Sequence, residues 1–232
     1  MEDSISSEKG DALLNSQILG IRGTLTEFRP VIMYLRSDPM PGNSTNFLLQ
    51  FLRHPSQTGA VLPSSNHLSQ AMVEWLDLAS ARAVLEYGPG TGPFTPDIVN
   101  RLGRDCRFIA IERNPTLAQE FRCRLPDVKL IQDSVENART ICDNAGIDSV
   151  DCIVCGLPWA AFPEDLQKRL LDSMMTVLRP GGQFVTFAYL HGLPLPAGRR
   201  FALRLPEYFS EVRKSQTVWR NVPPALVYRC RR

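Results

Sequence analysis

The chain has 232 residues, of which 44% are hydrophobic and 22% are charged, a composition typical of a globular protein with one full-sized core. No apolar run approaches the roughly 18 residues that span a bilayer, and the polar start MEDSISSEKGD fits neither a secretory signal nor a transit peptide, which predicts a cytoplasmic protein. The net charge is +2, but charge is unevenly distributed, because residues 179–232 contain ten basic and two acidic residues. Such a basic segment either binds an anionic partner or forms a solvated basic face.

Two short apolar segments flanked by arginine lie near the start of the chain, at residues 28–36 (FRPVIMYLR) and 46–54 (NFLLQFLRH). Amphipathic helices of this composition suit two roles: they can lie in a membrane interface through their aromatic and leucine faces, or pack on the protein as a lid. Both alternatives stay open. We predict that residues 1–54 form an N-terminal helical lid or membrane-contact segment and that residues 55–232 form the main domain.

Strand and helix signals alternate from Ala83 onward. The first helix is HLSQAMVEWL, which Ser65 or Asn66 caps. The strand segments that follow are AVLEYG, RFIAIE, VKLIQ, VDCIVCG and QFVTFAY. The helices between them are FTPDIVNRLG, PTLAQEFRCRL and PEDLQKRLLDSMMTVL. Alternation of this kind predicts an α/β fold with a mainly parallel sheet and helices on both faces. The segments EVRKSQTVW and PALVYRC flank the turn RNVP and predict a hairpin, so the last strand is expected to be antiparallel and the sheet seven-stranded.

The cysteines show no spacing of a disulfide framework. Cys152 and Cys155 form a CxxC, but both lie inside one predicted strand. Positions three apart on a strand face opposite sides of the sheet, so these two thiols cannot readily share a metal ion. We predict buried thiols and no metal site.

The stretch VLEYGPGTGPFT places Gly88, Gly90 and Gly92 between a buried strand and a helix. Glycines there allow positive φ angles and a close approach of a ligand to the backbone. A dinucleotide fingerprint would require glycine where Pro93 stands. Glu86, just before the glycines, would oppose a pyrophosphate but suits a cationic or amine-bearing ligand.

Two further acidic residues follow the next two strands. Glu112 ends RFIAIE, where a carboxylate can accept both hydroxyls of a ribose, and Asp133 follows VKLIQ, where it can accept the exocyclic amine of an adenine. Open α/β sheets bind ligands at the carboxyl ends of their strands, so the three acids predict one ligand site at that edge.

These motifs, together with AIERN and QDS, resemble the class I S-adenosylmethionine-dependent methyltransferases, a Rossmann-like fold, over about residues 55–232. The resemblance implies S-adenosylmethionine as the cofactor and S-adenosylhomocysteine as its product. The cofactor-binding residues that it implies are Glu86, Gly88, Gly90, Gly92, Glu112, Asn114, Asp133 and Ser134. The first four would adjoin the methionine part, Glu112 the ribose, and the last three the adenine.

The turn after the fourth predicted strand reads Gly156-Leu157-Pro158-Trp159. Amine-methylating members of this fold carry Asn or Asp, Pro or Leu, Pro and an aromatic residue here, so the resemblance implies that this turn positions the acceptor amine. Pro158 restricts the backbone, and the Trp159 ring suits an alkylammonium group. The expected catalytic residues are Gly156, Leu157, Pro158, Trp159 and Tyr189. Glycine in place of Asn or Asp leaves only a backbone carbonyl, which disfavours recognition of a planar exocyclic amine.

Two amine-methylating families resemble the chain further. The rRNA adenine dimethylases share the QTGAVLPSS-like entry, but they carry a helical domain after the sheet, whereas this sequence stops soon after its last strand. The bacterial phospholipid N-methyltransferases resemble it in FLRHPSQTGAVLPSS, GLP, VLRPGGQFVTFAY and VWRNVPPALVYRC. The second resemblance implies methylation of phosphatidylethanolamine or an ornithine lipid by a peripheral protein on the inner face of the cytoplasmic membrane.

The remaining expectations concern the acceptor. Arg199 and Arg200, predicted in the loop after the fifth strand, are candidates for binding a lipid phosphate, and His191 is a possible proton acceptor or an incidental loop residue. The partner is expected to be an anionic or zwitterionic membrane lipid, with no nucleic acid and no obligate protein partner. An RNA adenine methyltransferase and a catalytically silent membrane-binding module of this fold remain as alternatives.

Overall fold

The structure, a computed structural model, describes residues 65–232. The predicted segments at residues 28–36 and 46–54, and with them the expected N-terminal helical segment, lie outside the described residues. No helix within 65–232 is long and apolar enough to cross a membrane.

A seven-stranded sheet in the order β3-β2-β1-β4-β5-β7-β6 forms the centre of the described part. Its strands are β1 (Ala83–Tyr87), β2 (Arg107–Ile111), β3 (Leu130–Ile131), β4 (Val150–Cys155), β5 (Leu178–Tyr189), β6 (Glu211–Lys214) and β7 (Ala225–Arg231). Strands β1 to β5 are parallel to one another, and β7 is antiparallel to both β5 and β6. The predicted α/β class, the seven strands and the antiparallel last strand are therefore confirmed.

Six α-helices accompany the sheet in residues 65–232. They are α1 (Asn66–Val73), α2 (Thr95–Val99), α3 (Pro115–Arg124), α4 (Ala138–Asn144), α5 (Glu164–Val177) and α6 (Pro196–Tyr208). The Ser65 hydroxyl accepts a hydrogen bond from the Leu68 amide at 3.2 Å and caps α1, as predicted. The predicted helix FTPDIVNRLG is shorter than expected and ends at Val99, with turns after it.

The two faces of the sheet bury separate apolar clusters, and the CxxC shows this division directly. Cys155 belongs to the cluster that includes Trp159 and Phe201, whereas Cys152 belongs to the cluster that includes Leu68. Burial raises the pKa of each thiol to about 12, so both are protonated and packed as small apolar groups. Within residues 65–232 no group of three or more His, Cys, Asp or Glu side chains could hold a metal ion.

Candidate active site

Two backbone turns meet at the carboxyl ends of β1 and β4. The Gly156 amide donates a hydrogen bond to the Tyr87 carbonyl at 2.7 Å, which continues the strand pairing by one residue. A Cβ atom added at Gly156 would lie 2.5 Å from the Gly88 carbonyl oxygen, well inside van der Waals contact. Gly156 is therefore required by close packing of the two turns, which explains why no Asn or Asp side chain stands there.

The three glycines after β1 have positive φ angles but different surroundings. A Cβ at Gly88 would meet the Leu157 side chain at 2.6 Å, and one at Gly92 would meet Leu125 at 2.6 Å. At Gly90, by contrast, no atom lies within 4 Å of the added Cβ. Gly90 thus presents open backbone at the strand edge, as a residue beside a ligand should.

Glu86 is a fully buried carboxylate on β1. Its Oε2 atom accepts a hydrogen bond from the Thr95 hydroxyl at 2.7 Å, while its Oε1 atom is buried without a partner. Burial raises the pKa of Glu86 to about 8, the Thr95 hydrogen bond lowers it, and the Glu112 carboxylate raises it. A buried carboxylate with one unpartnered oxygen is suited to a cationic or amine-bearing ligand.

Glu112 lies at the end of β2 and is 7% exposed. Its Oε2 atom accepts the Gly90 amide at 3.0 Å, and its Oε1 atom accepts the Asn114 amide at 2.8 Å. The carboxylate is thereby fixed beside the glycine turn, and each oxygen keeps a second lone pair for a ligand hydroxyl.

The residues expected around an adenine differ in how many of their polar atoms already form hydrogen bonds within the protein. The Asn114 side-chain oxygen caps α3 by accepting the Thr116 and Leu117 amides. The Ser134 hydroxyl accepts the Glu136 amide, and both hydrogen bonds to Asp133 reach its Oδ1 atom. No donor within residues 65–232 reaches Oδ2 of Asp133, which leaves that oxygen available.

An apolar cavity of about 60 Å³ lies at the turn after β4. It is lined by Gly156, Leu157, Pro158, Trp159, Ala160, Phe187, Ala188, Tyr189, His191, Gly192, Leu193, Gly198, Phe201 and Tyr228. All five residues expected to be catalytic line this cavity. The structure thus brings together the strand-four turn and Tyr189, which are 30 residues or more apart in sequence.

Trp159 is 4% exposed and forms a wall of the cavity. Its indole Nε1 donates to the Thr186 hydroxyl at 3.1 Å, and one ring face stacks on Phe201 at a centroid distance of 4.3 Å. The Gln167 amide donates to the Trp159 carbonyl at 2.8 Å and to the Ala197 carbonyl at 3.0 Å. The ring is held rigidly, and a cation can approach it only where Phe201 does not cover it.

The carbonyl groups of the same turn are not equivalent. The Leu157 carbonyl already accepts the Trp159 amide at 3.1 Å. The Gly156 carbonyl accepts no hydrogen bond from any donor in the described part of the chain. Of these two carbonyls, that of Gly156 is the one whose lone pairs are free of hydrogen bonds.

Tyr189 and His191 lie side by side at the cavity, their rings stacked at a centroid distance of 5.5 Å. Burial raises the pKa of the Tyr189 hydroxyl and lowers that of the His191 imidazole. His191 is therefore neutral at pH 7 and can accept a proton. It is also solvent-exposed, so it connects the cavity with bulk water.

The prediction that Arg199 and Arg200 lie in a loop is wrong, because both belong to the first turns of α6. Pro196 begins this helix with a favourable fixed φ, and Gly198 packs so tightly on the Gly192 carbonyl that a Cβ there would approach to 2.2 Å. The Arg200 Nε atom is buried without a hydrogen-bond partner and lies 3.8 Å from the Glu164 carboxylate.

A second cavity, of about 280 Å³, adjoins Arg200. Its lining is Ala160, Ala161, Phe162, Pro163, Leu195, Pro196, Ala197 and Arg200. Ala160 lines both cavities. A guanidinium beside the first turn of a 13-residue helix, with no acidic residue in that turn, suits an anion.

Several residues that shape the site were missed from sequence. Thr95 is a hydroxyl residue shortly after the glycine turn, which was the only sequence signal for it, and its hydrogen bond to Glu86 is visible in the structure alone. Gln167, Thr186 and Phe201 carry no motif, and they reach the site only because α5, β5 and α6 pack around Trp159.

Comparison with known proteins agrees with this architecture. The family described as "methyltransferase domain" matches residues 84–182. The ornithine lipid N-methyltransferase of Singulisphaera acidiphila is 34% identical over 188 residues, which cover 80% of this chain and 94% of that protein. The chain belongs to the class I S-adenosylmethionine-dependent methyltransferases. Its cofactor is S-adenosylmethionine.

Solved structures share the fold of this methyltransferase at low sequence identity. An O-methyltransferase of Bacillus cereus in complex with S-adenosylhomocysteine has a TM-score of 0.59 at 14% identity, covering 85% of this chain and 96% of that one. The O-methyltransferase TomG of Streptomyces achromogenes, in complex with S-adenosylmethionine, has a TM-score of 0.58 at 19% identity, covering 85% and 94%. These likenesses show the fold.

Replacing Glu86 with Gln should change how stability depends on pH. The folded-state pKa of about 8 lies above the ordinary 4.5, so between these values folded protein holds a proton that the unfolded chain releases. Raising the pH through this window therefore lowers the free energy of unfolding, by about 3–5 kcal/mol from this group. Urea unfolding at pH 5 and pH 8 should show a smaller loss in Glu86→Gln. Replacing the exposed Glu120 with Gln is the control and should leave the pH dependence of stability as in wild type. If the free energy of unfolding of Glu86→Gln falls between pH 5 and pH 8 as much as that of wild type, the raised pKa does not belong to Glu86.

Replacing Gly156 with Ala should force the two turns apart. The added Cβ would lie 2.5 Å from the Gly88 carbonyl oxygen, which we expect to cost about 1–3 kcal/mol in free energy of unfolding. Gly192→Ala is the control, since its Cβ would meet only the Ala160 methyl at 3.3 Å. Chemical denaturation of both variants measures the difference, and equal stability would show that the contact is not restrictive.

Proposed function

We propose that this methyltransferase transfers methyl groups to the primary amine of a membrane-lipid headgroup, phosphatidylethanolamine or an ornithine lipid. The observation that carries the proposal is the apolar cavity beside the strand-four turn, where Gly156 offers a free carbonyl and His191 a neutral imidazole. The relative in Singulisphaera acidiphila, named for ornithine lipid N-methylation, supports the same acceptor class.

The cofactor, when bound, supplies an electrophilic methyl group on a positively charged sulfur. The unpartnered Oε1 of Glu86, the open backbone at Gly90 and the free Oδ2 of Asp133 fit its amine, methionine and adenine parts, and Glu112 fits the ribose. A positively charged ligand would stabilise the ionised form of Glu86. Cofactor binding should therefore displace a proton from this carboxyl near pH 7.

An acceptor amine must lose a proton before it can act as a nucleophile, because an alkylamine has a pKa of about 10 in water. The cavity is lined mainly by apolar groups, and an ammonium group loses solvation there. Desolvation lowers the pKa of an ammonium group and favours the neutral amine. The Gly156 carbonyl can then accept one N–H hydrogen and orient the nitrogen lone pair away from the turn.

In this proposal His191 accepts the proton that the amine releases. Its imidazole lines the cavity, is neutral at pH 7 and is partly exposed to solvent. A proton taken from the amine can pass from His191 to water. Tyr189 stacks on the imidazole, which restricts its orientation. The uncovered ring faces of Tyr189 and Trp159 can attract the partly methylated cation.

The second cavity gives the headgroup a place for its negative charge. Phosphatidylethanolamine and ornithine lipids share one pattern: a primary amine and an anionic group a few bonds apart. With the amine in the first cavity, the anion can lie near Arg200 and the start of α6, since Ala160 separates the two cavities. Arg199, exposed on the same helix, would contact the lipid surface at the inner face of the cytoplasmic membrane.

The decisive experiment is transfer of labelled methyl from S-adenosylmethionine to vesicles of phosphatidylethanolamine or of ornithine lipid, with lipid mass spectrometry of the products. We expect mass shifts of one or more methyl groups in one of the two lipids, which also identifies the headgroup. Methylation of rRNA instead of lipid would support the adenine methyltransferase alternative. Cofactor binding with no methylated acceptor would support a catalytically silent module.

Replacing His191 with Gln should lower the turnover number at pH 7 by about tenfold to a hundredfold, because proton removal then depends on water. The loss should shrink as pH rises toward 9, where more amine is already neutral. His67→Gln, at an exposed position on α1, is the matched control and should retain wild-type rates. A rate loss in His191→Gln that is the same at all pH values would assign the residue a structural role.

A further inference from the structure

The loop between β6 and β7, residues 215–224, exposes two large apolar side chains. Trp219 is 71% exposed and Val222 is 70% exposed. Leu203, on α6, is the other large apolar side chain of comparable exposure within residues 65–232. Two such side chains three residues apart at the tip of one loop form an apolar knob, which we call the Trp219 tip.

Hydrogen bonds hold the Trp219 tip in a defined shape. Asn221 lies between the two exposed residues and is itself only 2% exposed. Its Oδ1 atom accepts a hydrogen bond from the Ser65 amide at 2.9 Å, and its Nδ2 atom donates one to the Pro223 carbonyl at 2.6 Å. The Val218 amide donates to the Ala225 carbonyl at 2.7 Å and closes the base of the loop. The polar residue is thus turned inward, and the apolar residues are turned outward by a fixed backbone.

The Trp219 tip lies at the same edge of the sheet as the apolar cavity lined by Trp159 and Tyr189, which we call the acceptor cavity. Tyr189 pairs with Ala225, and the Leu190 amide donates to the Pro224 carbonyl at 2.9 Å. Leu190 begins the short helical turn that contains His191. The end of the loop is therefore hydrogen-bonded to the segment that carries two of the cavity-lining residues.

The charge around the Trp219 tip is positive. Arg220 is exposed between Trp219 and Asn221, and residues 212–232 contain no Asp or Glu. Within the described residues, Arg220 forms no ion pair with a carboxylate. Tryptophan is favoured at the level of lipid headgroups, and a neighbouring arginine gains from anionic lipid.

We propose that the Trp219 tip is the element by which this methyltransferase docks on an anionic phospholipid bilayer. Trp219 and Val222 enter the headgroup region, and Arg220 contacts lipid phosphates. The hydrogen bonds to Leu190 then hold the acceptor cavity at the membrane surface, next to headgroups that need not leave the bilayer. The inference rests on the proposed lipid substrate, but the docking itself can be measured without it.

The test uses the full chain and vesicles of phosphatidylcholine with or without phosphatidylglycerol, lipids that carry no primary amine. We expect Trp219→Ser/Val222→Ser to reduce co-sedimentation with phosphatidylglycerol vesicles by about tenfold or more. Arg220→Gln should lose about fivefold and most of the dependence on phosphatidylglycerol. Val99→Ser is the control; it removes a surface apolar side chain, 38% exposed, at the end of α2, and should bind as wild type.

Tryptophan fluorescence identifies what covers the tip. The emission of Trp219, taken as the difference between wild type and Trp219→Phe, should shift to the blue and resist quenching by iodide only when vesicles are present. A signal already shifted and protected without vesicles would place another part of the chain, or a second copy, on the tip and overturn the proposal. No shift of the Trp219 emission with vesicles, or an equal loss of binding in Val99→Ser, would overturn it as well.

Docking and catalysis can fail separately in this design. In the Trp219→Ser/Val222→Ser variant we expect methyl transfer to fall on vesicles but to persist on the same amine lipid dispersed in detergent micelles. Docking without methylation of any amine lipid would refute the proposed substrate and leave the docking element intact. Methylation of vesicles that is unaffected by the double substitution would refute the docking element and leave the substrate intact.

Discussion

The site depends on one close backbone contact, that of the turns which follow β1 and β4. The Gly156 amide donates to the Tyr87 carbonyl, and the absence of a Cβ lets the Gly88 carbonyl approach. This contact places the glycine turn after β1 directly beside the turn after β4 that lines the apolar cavity, and these are the turns that we propose for the cofactor and the acceptor. Because methyl transfer needs the two reactants in line and in contact, a wider separation of these turns would weaken catalysis whatever side chains they carried.

The same contact explains why position 156 is glycine, where base-methylating relatives carry Asn or Asp. An Asn or Asp side chain at position 156 would bring its Cβ to 2.5 Å from the Gly88 carbonyl oxygen, so the backbone carbonyl is the polar group left to this position. A single free carbonyl can orient an aliphatic amine, whereas a planar exocyclic amine is held better by several in-plane acceptors. In the proposed reaction the apolar surroundings would also favour the neutral amine over the ammonium ion.

Much of the fold could be predicted because its signals are local. The alternation of strand and helix segments, the hairpin around RNVP, the Ser65 cap and the opposite faces of Cys152 and Cys155 all follow from short-range periodicity and capping chemistry. Glu86, Glu112 and Asp133 could be placed at one edge because parallel strands end together. Arg199 and Arg200 were misplaced because PLPAGRR reads as a loop, while the packing of Gly198 on Gly192 admits a helix there.

The sequence by itself determined the fold class and pointed to the cofactor, and it predicted the sheet edge and the turn that we propose for cofactor and acceptor, since each depends on residues close together in the chain. The tertiary structure alone decided which of these groups remain free to act. Within the described residues, Oε1 of Glu86 and the Gly156 carbonyl accept no hydrogen bond. The Leu157 carbonyl and the Asn114 side-chain oxygen, by contrast, already accept hydrogen bonds from backbone amides. It also decided that Trp159 is locked between Thr186 and Phe201 and that Trp219 faces outward. Hydrogen-bond satisfaction and burial are properties of contacts between distant segments, which no local pattern encodes.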